Sequence, residues 1–384
     1  MQVLVTTARA WHLRQTARAF SKRAALGGLW MADKNGGAVP EAEYRRCWPY
    51  HLAMKFFYHC APQLWEERAT YRFIPLYERW LRSQLEAPAA PKFQVVHTIM
   101  GLGTELFRQG EKFGALKVLD CTNSHPTTYQ AYWQRECNQW CPGEKVPVPD
   151  FAFKRMRHEI EAADLVLCPS QFVFDSMVQN GVAAEKCFIN PFGVNTSIFT
   201  PRQTVPSIPR FICVGTICLR KGHQYLFRAF EQVKKALPQA ELICAGEFKA
   251  DFRRERSKWE GTFQQHQALS HERLNEIMKT CTAFVLPSCE EGLARVIPEA
   301  MAAGLPVIAT YESGATTVVR DGVEGLIVTR EPAIIADAML RLARDSELCG
   351  RMSNAAYQRG TISNTWQDYG DRLLVEYERR AGSA

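Results

Sequence analysis

Short apolar runs alternate with amphipathic segments along most of this chain. In the first half, residues 2–6, 94–97 and 117–120 are apolar runs of the length of buried strands. Residues 13–25 instead carry apolar positions at helical spacing. The second half repeats the alternation, beginning with the apolar run 211–214. Strands that alternate with helices predict parallel sheets covered by helices, so both halves are expected to be α/β.

Length and one shift in composition divide the chain. Its 384 residues exceed one ordinary hydrophobic core. Residues 200–209 contain three prolines and few bulky side chains, which is typical of a linker. We therefore predict a first domain over residues 1–200, a second domain over residues 210–360, and a closing helix within residues 361–384.

One stretch of the second half combines a strand, a loop and a helix in a way that suits a phosphate. The apolar run Ala283–Leu286 leads into a Pro-Ser turn and a Glu-Glu-Gly loop, and the helix that follows ends before Gly304. Glu291 lies in the loop, and Glu299 lies on or near the first helical turn. Free N–H groups and the positive end of the helix dipole lie between them, where a diphosphate can bind.

The two acids would contact hydroxyl groups on either side of a diphosphate, because carboxylates repel phosphate itself. A nucleotide-sugar carries a diphosphate between two hydroxyl-rich rings and fits this arrangement. The alternative is that Glu291 and Glu299 only cap and charge the helix start. The spacing by itself leaves both interpretations open.

The residues around these acids resemble a known family. Glu291, Gly292, Glu299 and the AMAAGLPVI run that follows resemble the E-x7-E signature of the family 4 retaining glycosyltransferases (glycosyl transferases group 1). The resemblance implies the GT-B fold, in which two Rossmann-like domains face an interdomain cleft. It also implies that Glu299 holds the ribose hydroxyls and Glu291 the donor sugar. Family members usually read Glu-Gly-Phe-Gly here, whereas this chain has Leu293 and Ala294.

The resemblance assigns roles elsewhere too. His125, in a polar turn after a strand, would lie near the donor sugar and its phosphate. Arg220 and Lys221, between a strand and a helix, would stabilise a leaving diphosphate, which requires fixed cations rather than a proton donor. Thr216 stands where many members carry arginine, so Arg220 would replace that charge. The other candidates for binding the donor are loop and helix-start residues: Gly215, Thr216, Gly246, Gly292, Leu293, Ala294, Arg295 and Val296.

Without the resemblance, simpler interpretations would be favoured. An isolated Arg-Lys pair is more often a solvated loop, and a lone histidine is more often structural. Residues 56–85, rich in Trp, Tyr, Phe and Arg, predict either a core helix, which we favour, or a peripheral membrane contact. Residues 33–50 are polar and contain glycine, and we predict a loop there.

Composition and charge limit the kinds of molecule that this protein is expected to bind. The net charge of +7 suits a phosphorylated ligand or an anionic membrane surface. Without a dense Lys/Arg stripe and interleaved aromatics, nucleic acid is not an expected partner. The sequence has no Walker A motif and no complete dinucleotide fingerprint, so ATP and nicotinamide chemistry are not predicted. No apolar run reaches the ~18 to 20 residues of a membrane span.

Thirteen scattered cysteines predict reduced, buried thiols in a cytosolic protein. Two groups offer a zinc alternative: Cys137 with Cys141, and Cys47, His51, His59 with Cys60. Neither has the paired spacing of a structural zinc site, so packing is favoured and no metal site is predicted. The basic N-terminal segment, which lacks acids, would also suit a transit peptide, but the apolar run at residues 2–6 favours a first strand.

The residues and the resemblance together predict a retaining, metal-independent hexosyltransferase without a cofactor. Its donor would be a UDP-sugar or GDP-sugar, and its acceptor the hydroxyl of a sugar, a lipid-linked molecule or a small molecule, in glycan or glycolipid biosynthesis. Two alternatives remain. One is a GT-B enzyme of another reaction type, such as a sugar-nucleotide epimerase or a phosphorylase. The other is a catalytically silent GT-B subunit, which the departures at Thr216 and Ala294 keep open.

Overall fold

The computed structural model describes residues 1–9, 12–60, 66–142, 146, 148–249, 252, 256–267, 269–362 and 364–381. Its strands form two parallel sheets, one in each half of the chain, so the predicted α/β class is confirmed. The first sheet contains β1 (Val3–Thr7), β2 (Leu26–Met31), β3 (Tyr44–Arg46), β4 (Val95–Ile99), β5 (Leu116–Asp120), β6 (Leu165–Cys168) and β7 (Cys187–Ile189). The second contains β8 (Arg210–Val214), β9 (Glu241–Ala245), β10 (Gln264–His266), β11 (Ala283–Leu286), β12 (Val307–Ala309) and β13 (Gly325–Ile327).

Helices connect these strands. Those of the first half are α1 (Leu13–Lys22), α2 (Trp48–Cys60), α3 (Glu66–Leu85), α4 (Gly103–Lys112), α5 (Pro126–Trp140), α6 (Asp150–Ala162) and α7 (Gln171–Gln179). Those of the second half are α8 (His223–Ala236), α9 (His271–Met278), α10 (Val296–Ala302), α11 (Pro332–Arg344), α12 (Ser346–Thr361) and α13 (Trp366–Ala381). The apolar runs became strands because the sheets are buried on both faces: Val3 and Val5 of β1 belong to one core, and Leu4 to another.

Strand order places a crevice in each domain. The first sheet has the order β3-β2-β1-β4-β5-β6-β7, and the second β10-β9-β8-β11-β12-β13. The order therefore reverses beside β1 in one sheet and beside β8 in the other. Ligands of open parallel sheets bind outside the carboxyl ends of the strands at such switch points.

The predicted loop over residues 33–50 is correct for residues 33–40 and wrong for the remainder. This stretch contains β3 and the beginning of α2. Little in the residue pattern indicated β3, because a three-residue edge strand reading Tyr-Arg-Arg has no apolar run. Strand β2 was also missed, since Gly27 and Gly28 interrupt its apolar pattern. A side chain at Gly27 would lie 2.7 Å from the Phe93 ring, so the glycine makes room for that ring.

A buried polar network attaches α13 to the first domain. Asp120, at the end of β5, accepts hydrogen bonds from His12 Nε2 at 2.7 Å and from the Tyr369 hydroxyl at 3.2 Å. The Tyr377 hydroxyl lies 2.9 Å from His97 Nδ1. Burial alone would raise the pKa of Asp120, but His12 and His97 hold it below its usual value. Helix α13 is thus held against the first sheet by hydrogen bonds between buried polar side chains.

Candidate active site

The loop after β8 brings backbone and cations together at the carboxyl edge of the second sheet. Gly215 has φ +120°, which L side chains rarely adopt, and a Cβ there would lie 2.8 Å from Lys221 Cε. A Cβ at Gly246, which follows β9, would lie 2.1 Å from the Gly215 oxygen and 3.2 Å from the Thr216 nitrogen. The predicted donor-binding residues Gly215, Thr216 and Gly246 therefore contact one another, and Lys221 lies beside them.

Two cations converge on one carboxylate at this edge. Glu291 Oε1 lies 2.9 Å from Lys221 Nζ and 3.1 Å from Arg220 Nη1. Burial alone would raise the pKa of Glu291, but Arg220 and Lys221 lower it to about 2. Arg220 also donates to the Glu290 carbonyl at 2.8 Å. The structure thus brings together three of the predicted catalytic residues and keeps the Glu291 carboxylate ionised at neutral pH.

Glu290, the neighbour of Glu291, joins the two domains. Its carboxylate accepts hydrogen bonds from the Ser124 nitrogen and the Ser124 hydroxyl, each at 2.9 Å, and from Asn123 Nδ2 at 3.1 Å. Burial raises the pKa of Glu290, and the Arg220 charge opposes that rise. Glu290 was not among the predicted site residues, although the Glu-Glu pair at the end of a strand was a visible signal.

His125 follows directly after the Ser124 contact and begins α5. Its Nδ1 accepts a hydrogen bond from the Thr127 nitrogen at 3.3 Å, so the proton of the neutral ring resides on Nε2. Burial, with a smaller contribution from Arg157, lowers the pKa of His125 to about 4. The side chain is therefore a neutral N–H donor at physiological pH and is poorly suited to act as a base.

The segment after Glu291 packs against the first domain. A Cβ at Gly292 would lie 2.1 Å from the Thr122 oxygen, and Leu293 and Ala294 are buried. The nitrogen of Ala294 donates to the Ser313 oxygen at 3.2 Å, so the expected N–H donor at this position is already used. Arg295 is exposed and Val296 is half-buried where α10 begins.

Glu299 lies on α10 with its carboxyl half-buried. Burial raises its pKa to about 7, and Arg295 only partly offsets that effect. Within the part of the chain that the structure describes, no hydrogen bond or ion pair holds this carboxyl. The side chain is thus near half ionisation at neutral pH and can accept hydrogen bonds from a bound molecule.

A second cluster across the domain interface was also missed. Glu136 of α5 is buried and accepts hydrogen bonds from the Tyr225 hydroxyl at 2.8 Å and from Gln224 Nε2 at 3.1 Å. Arg330 Nη1 donates to the other oxygen of this carboxylate at 3.2 Å. Helix α5 of the first domain is thereby held against α8 of the second.

The described residues give no sign of a metal centre or a bilayer span. Across the described ranges, no three His, Cys, Asp or Glu side chains are grouped as a metal ion requires. None of the described helices is long and apolar enough to cross a membrane. The thirteen cysteines are reduced thiols, and Cys60 alone among them is exposed.

The aromatic stretch over residues 56–85 is divided between α2 and α3. Ile74, Tyr77 and Leu81 of α3 are buried, whereas Phe56 of α2 is exposed. Residues 61–65 of this stretch lie outside the described residues.

Two parallel-sheet domains that meet at their carboxyl edges define a protein of the GT-B class. The structure superposes on sucrose-phosphate synthase from Thermosynechococcus elongatus with a TM-score of 0.79, at 17% identity and over 100% of both chains. It also superposes on Anabaena HepE, solved in complex with UDP and glucose, with a TM-score of 0.66 at 16% identity, over 99% of this chain and 100% of that one. The predicted GT-B arrangement is confirmed.

Residues 208–345 match the family model of the glycosyl transferases group 1. Among curated proteins, it is 25% identical over 254 residues to the alpha-maltose-1-phosphate synthase of Mycolicibacterium smegmatis. That alignment covers 58% of this chain and 65% of the relative. The matches span about half to two thirds of the length of such relatives. The family resemblance drawn from Glu291 and Glu299 is therefore confirmed.

Proposed function

We propose that this protein is a retaining glycosyltransferase that moves a sugar from a UDP-sugar or GDP-sugar to an acceptor hydroxyl. The observation that carries the proposal is the convergence of Lys221 and Arg220 on Glu291, at 2.9 and 3.1 Å, at the edge facing the first domain. The family match over residues 208–345 supports sugar transfer, and the HepE complex supports UDP as one donor type for this fold.

The cations would serve the leaving group. When the bond between the sugar and the diphosphate breaks, negative charge grows on the diphosphate, and fixed cations stabilise it without moving a proton. Glu291 holds Lys221 and Arg220 in place before the donor arrives, so little reorganisation is needed. In the complex, Glu291 would accept hydrogen bonds from hydroxyls of the donor sugar, and Glu299 from the ribose.

The neutral His125 fits a role as a hydrogen-bond donor. Its Nε2–H would contact the donor sugar or its phosphate. Since His125 is poorly suited to accept it, the acceptor proton would pass to an oxygen of the departing diphosphate while the new bond between the acceptor oxygen and the anomeric carbon forms. Attack on the face that the diphosphate leaves would keep the anomeric configuration. The reaction then needs neither a metal ion nor another cofactor.

We further place the protein in the cytoplasm, acting on a sugar, lipid-linked or small-molecule acceptor. A peripheral membrane contact has one specific observation in its favour: α2 exposes Trp48, Leu52 and Phe56 by 53%, 57% and 72%. These residues are four apart and therefore share a face of the helix. This surface begins earlier than the residues 56–85 that the sequence indicated.

Product analysis tests the reaction type. The protein is incubated with UDP-sugars and GDP-sugars labelled at the anomeric carbon, together with a panel of acceptors, and products are followed by NMR. We expect a glycoside with the donor's anomeric configuration and free UDP or GDP. An epimerised sugar would indicate an epimerase, and a sugar phosphate formed only with inorganic phosphate would indicate a phosphorylase. Binding without turnover on any acceptor would favour the silent subunit.

A further inference from the structure

One buried carboxylate connects the two loops that carry the candidate catalytic residues. The side chain of Glu290 is buried and accepts hydrogen bonds from Ser124 and Asn123, which follow β5 in the first domain. His125 is the next residue after Ser124, and Glu291 is the next residue after Glu290. A single side chain of the second domain thus holds the neighbour of His125 beside the neighbour of Glu291.

The same acid also contacts Arg220. Arg220 Nη1 lies 2.8 Å from the Glu290 carbonyl oxygen, 3.7 Å from Glu290 Oε2 and 3.1 Å from Glu291 Oε1. A diphosphate that binds this cation competes with Glu291 for it. The Glu290 carboxylate is buried and hydrogen-bonded to the first domain, so it is not released by such competition. Arg220 therefore keeps Glu290 as an anchor when an anion replaces Glu291.

The helix that begins after His125 lies beside the same cation. Tyr129 is one turn after His125 on α5, and its electrostatic effect reaches Arg220. Burial alone would lower the pKa of Arg220, but Glu291, Tyr129 and Glu290 raise it well above its ordinary value. The first turn of α5 thus approaches the cation that Glu290 holds from the second domain.

A second buried acid crosses the interface at a different place. Glu136 accepts hydrogen bonds from Gln224 and Tyr225 of α8 and from Arg330. At 1.5 Å per helical residue it lies about 16 Å further along α5 than His125. Glu136 therefore holds the domains together away from the loop of His125, and it provides a matched comparison for Glu290.

We propose that Glu290 is a positioning residue for sugar transfer, which couples the cations of the donor site to the loop that carries His125. When a diphosphate replaces Glu291 at Arg220, Arg220 stays on Glu290. Glu290 in turn keeps Ser124 in place, and with it His125. Nucleotide binding in the second domain then orders His125 in the first, and the coupling is reciprocal. This inference rests on the proposed function, because it concerns the same reaction.

The coupling is measured first without turnover. Protein with isotope-labelled histidine is titrated with UDP and with GDP, and the His125 ring signal, assigned by its absence in His125→Gln, is followed by NMR. We expect saturating nucleotide to shift this signal in wild type and in Glu136→Gln. In Glu290→Gln the signal should stay near its nucleotide-free position. Ser124→Ala removes one donor to Glu290 from the opposite domain and should reduce the shift.

Three results would overturn the proposal. One is a shift of equal size in wild type and Glu290→Gln, and another is no shift in any of the proteins. The third is a shift that is lost in Glu136→Gln as well, because the coupling would then belong to the whole interface. Ser124→Ala tests the same contact from the first domain, so the proposal does not depend on the folding of one variant.

Transfer kinetics then separate this inference from the proposed function. With labelled donor, Glu290→Gln should lower kcat about 10- to 100-fold, the cost of misplaced groups, and change the donor KM by less than about twofold. The effects of Glu290→Gln and Ser124→Ala should be less than additive in the double variant, because both remove the same contact. A fall in kcat with an equal rise in donor KM would reject the inference but leave the proposed function intact. A His125 shift without any transfer by wild type would reject the proposed function and leave the coupling.

Discussion

The two carboxyl edges that face each other in this protein are built in different ways. At the second-domain edge, Lys221 and Arg220 are already paired with Glu291, and tightly packed glycines fix the loop. At the first-domain edge, His125 is neutral and a cavity beside β1 is lined by side chains of a helix. A rigid loop whose charged side chains are already in place suits a chemical group that does not vary, such as a diphosphate. A cavity lined by side chains of a helix can change its chemistry by substitution without a change of backbone, which suits an acceptor that differs between enzymes.

The same division is seen between two neighbouring acids. Glu290 is hydrogen-bonded across the interface to Ser124, whereas Glu291 is ion-paired within its own domain to Lys221. Their pKa values move in opposite directions, up for Glu290 and down for Glu291, because burial prevails for one and cations for the other. Glu290 therefore holds the two domains together, and Glu291 holds the Lys221 cation in place.

The largest expected effect tests what supports the first-domain edge. Asp120→Asn removes the carboxylate that accepts hydrogen bonds from His12 and Tyr369 in a buried site, and each buried donor that loses its acceptor costs about 1 to 3 kcal/mol. Urea unfolding should show this loss. Asp337→Asn, an exposed change on α11, should stay close to wild type. A similar stability for the two variants would mean that the network does not hold α13 in place.

The next effect tests the second-domain edge. Glu291→Gln keeps the shape of the side chain but removes the charge that orders Lys221 and the hydroxyl acceptor for the sugar. We expect transfer to fall about 100-fold, the usual cost of losing one preorganised group. The initial rate with labelled donor measures this, and Glu111→Gln, exposed on α4, provides the control. An unchanged rate in Glu291→Gln would remove Glu291 from the site.

Burial of the ionised Glu299 carboxylate should lower the stability of the folded protein, and a substitution at this position tests that cost. Its pKa of about 7 in the folded protein exceeds the ordinary value of 4.5, so folding favours the protonated form. The resulting penalty is absent below about pH 4.5 and develops fully as pH rises through about 7. Glu299→Gln should therefore stabilise the protein at pH 8 by about 1 to 2 kcal/mol and have little effect at pH 4.5.

Thermal unfolding of wild type and Glu299→Gln at the two pH values measures that difference. The matched control is Glu347→Gln, an exposed residue of α12. An equal gain at both pH values would show that the carboxyl is not perturbed as described.

The smallest expected effect concerns the interface between the edges. Tyr225→Phe removes the hydroxyl that donates to Glu136 at 2.8 Å, and one hydrogen bond of this kind contributes about 1 kcal/mol. We expect a small fall in the urea midpoint and a larger radius of gyration by small-angle X-ray scattering. Tyr357→Phe, on α12 of the second domain, is the control. If the radius stays at the wild-type value, this contact does not hold the domains together.

The two edges also differ in how far the sequence could predict them. Strand β11, the loop of Glu291 and the cations at Arg220 and Lys221 are encoded locally, by an apolar run, turn residues and a spaced pair of acids. The GT-B fold followed from the same stretch through its family resemblance. The hydrogen bond between Ser124 and Glu290 joins residues 166 positions apart, and no local pattern marks such a contact.

The first-domain edge was less predictable for a related reason. The short edge strand β3 has no apolar run, and the cavity exists only because α2 lies across the ends of β1 and β2. The spacing of His51, Lys55 and His59 was visible in the sequence. Only the structure shows that this face of α2 borders the cavity.

The most direct test of the central claim is a calorimetric titration of UDP and GDP into wild type, Lys221→Met, Glu291→Gln and the exposed control Lys235→Met on α8. If a diphosphate binds among these charges, one nucleotide should bind wild type and Lys235→Met equally. Lys221→Met should bind it at least about tenfold more weakly, and Glu291→Gln more tightly, because one loses a cation and the other a competing anion. Nucleotide affinities that are the same in all four proteins, or no binding at all, would contradict the account.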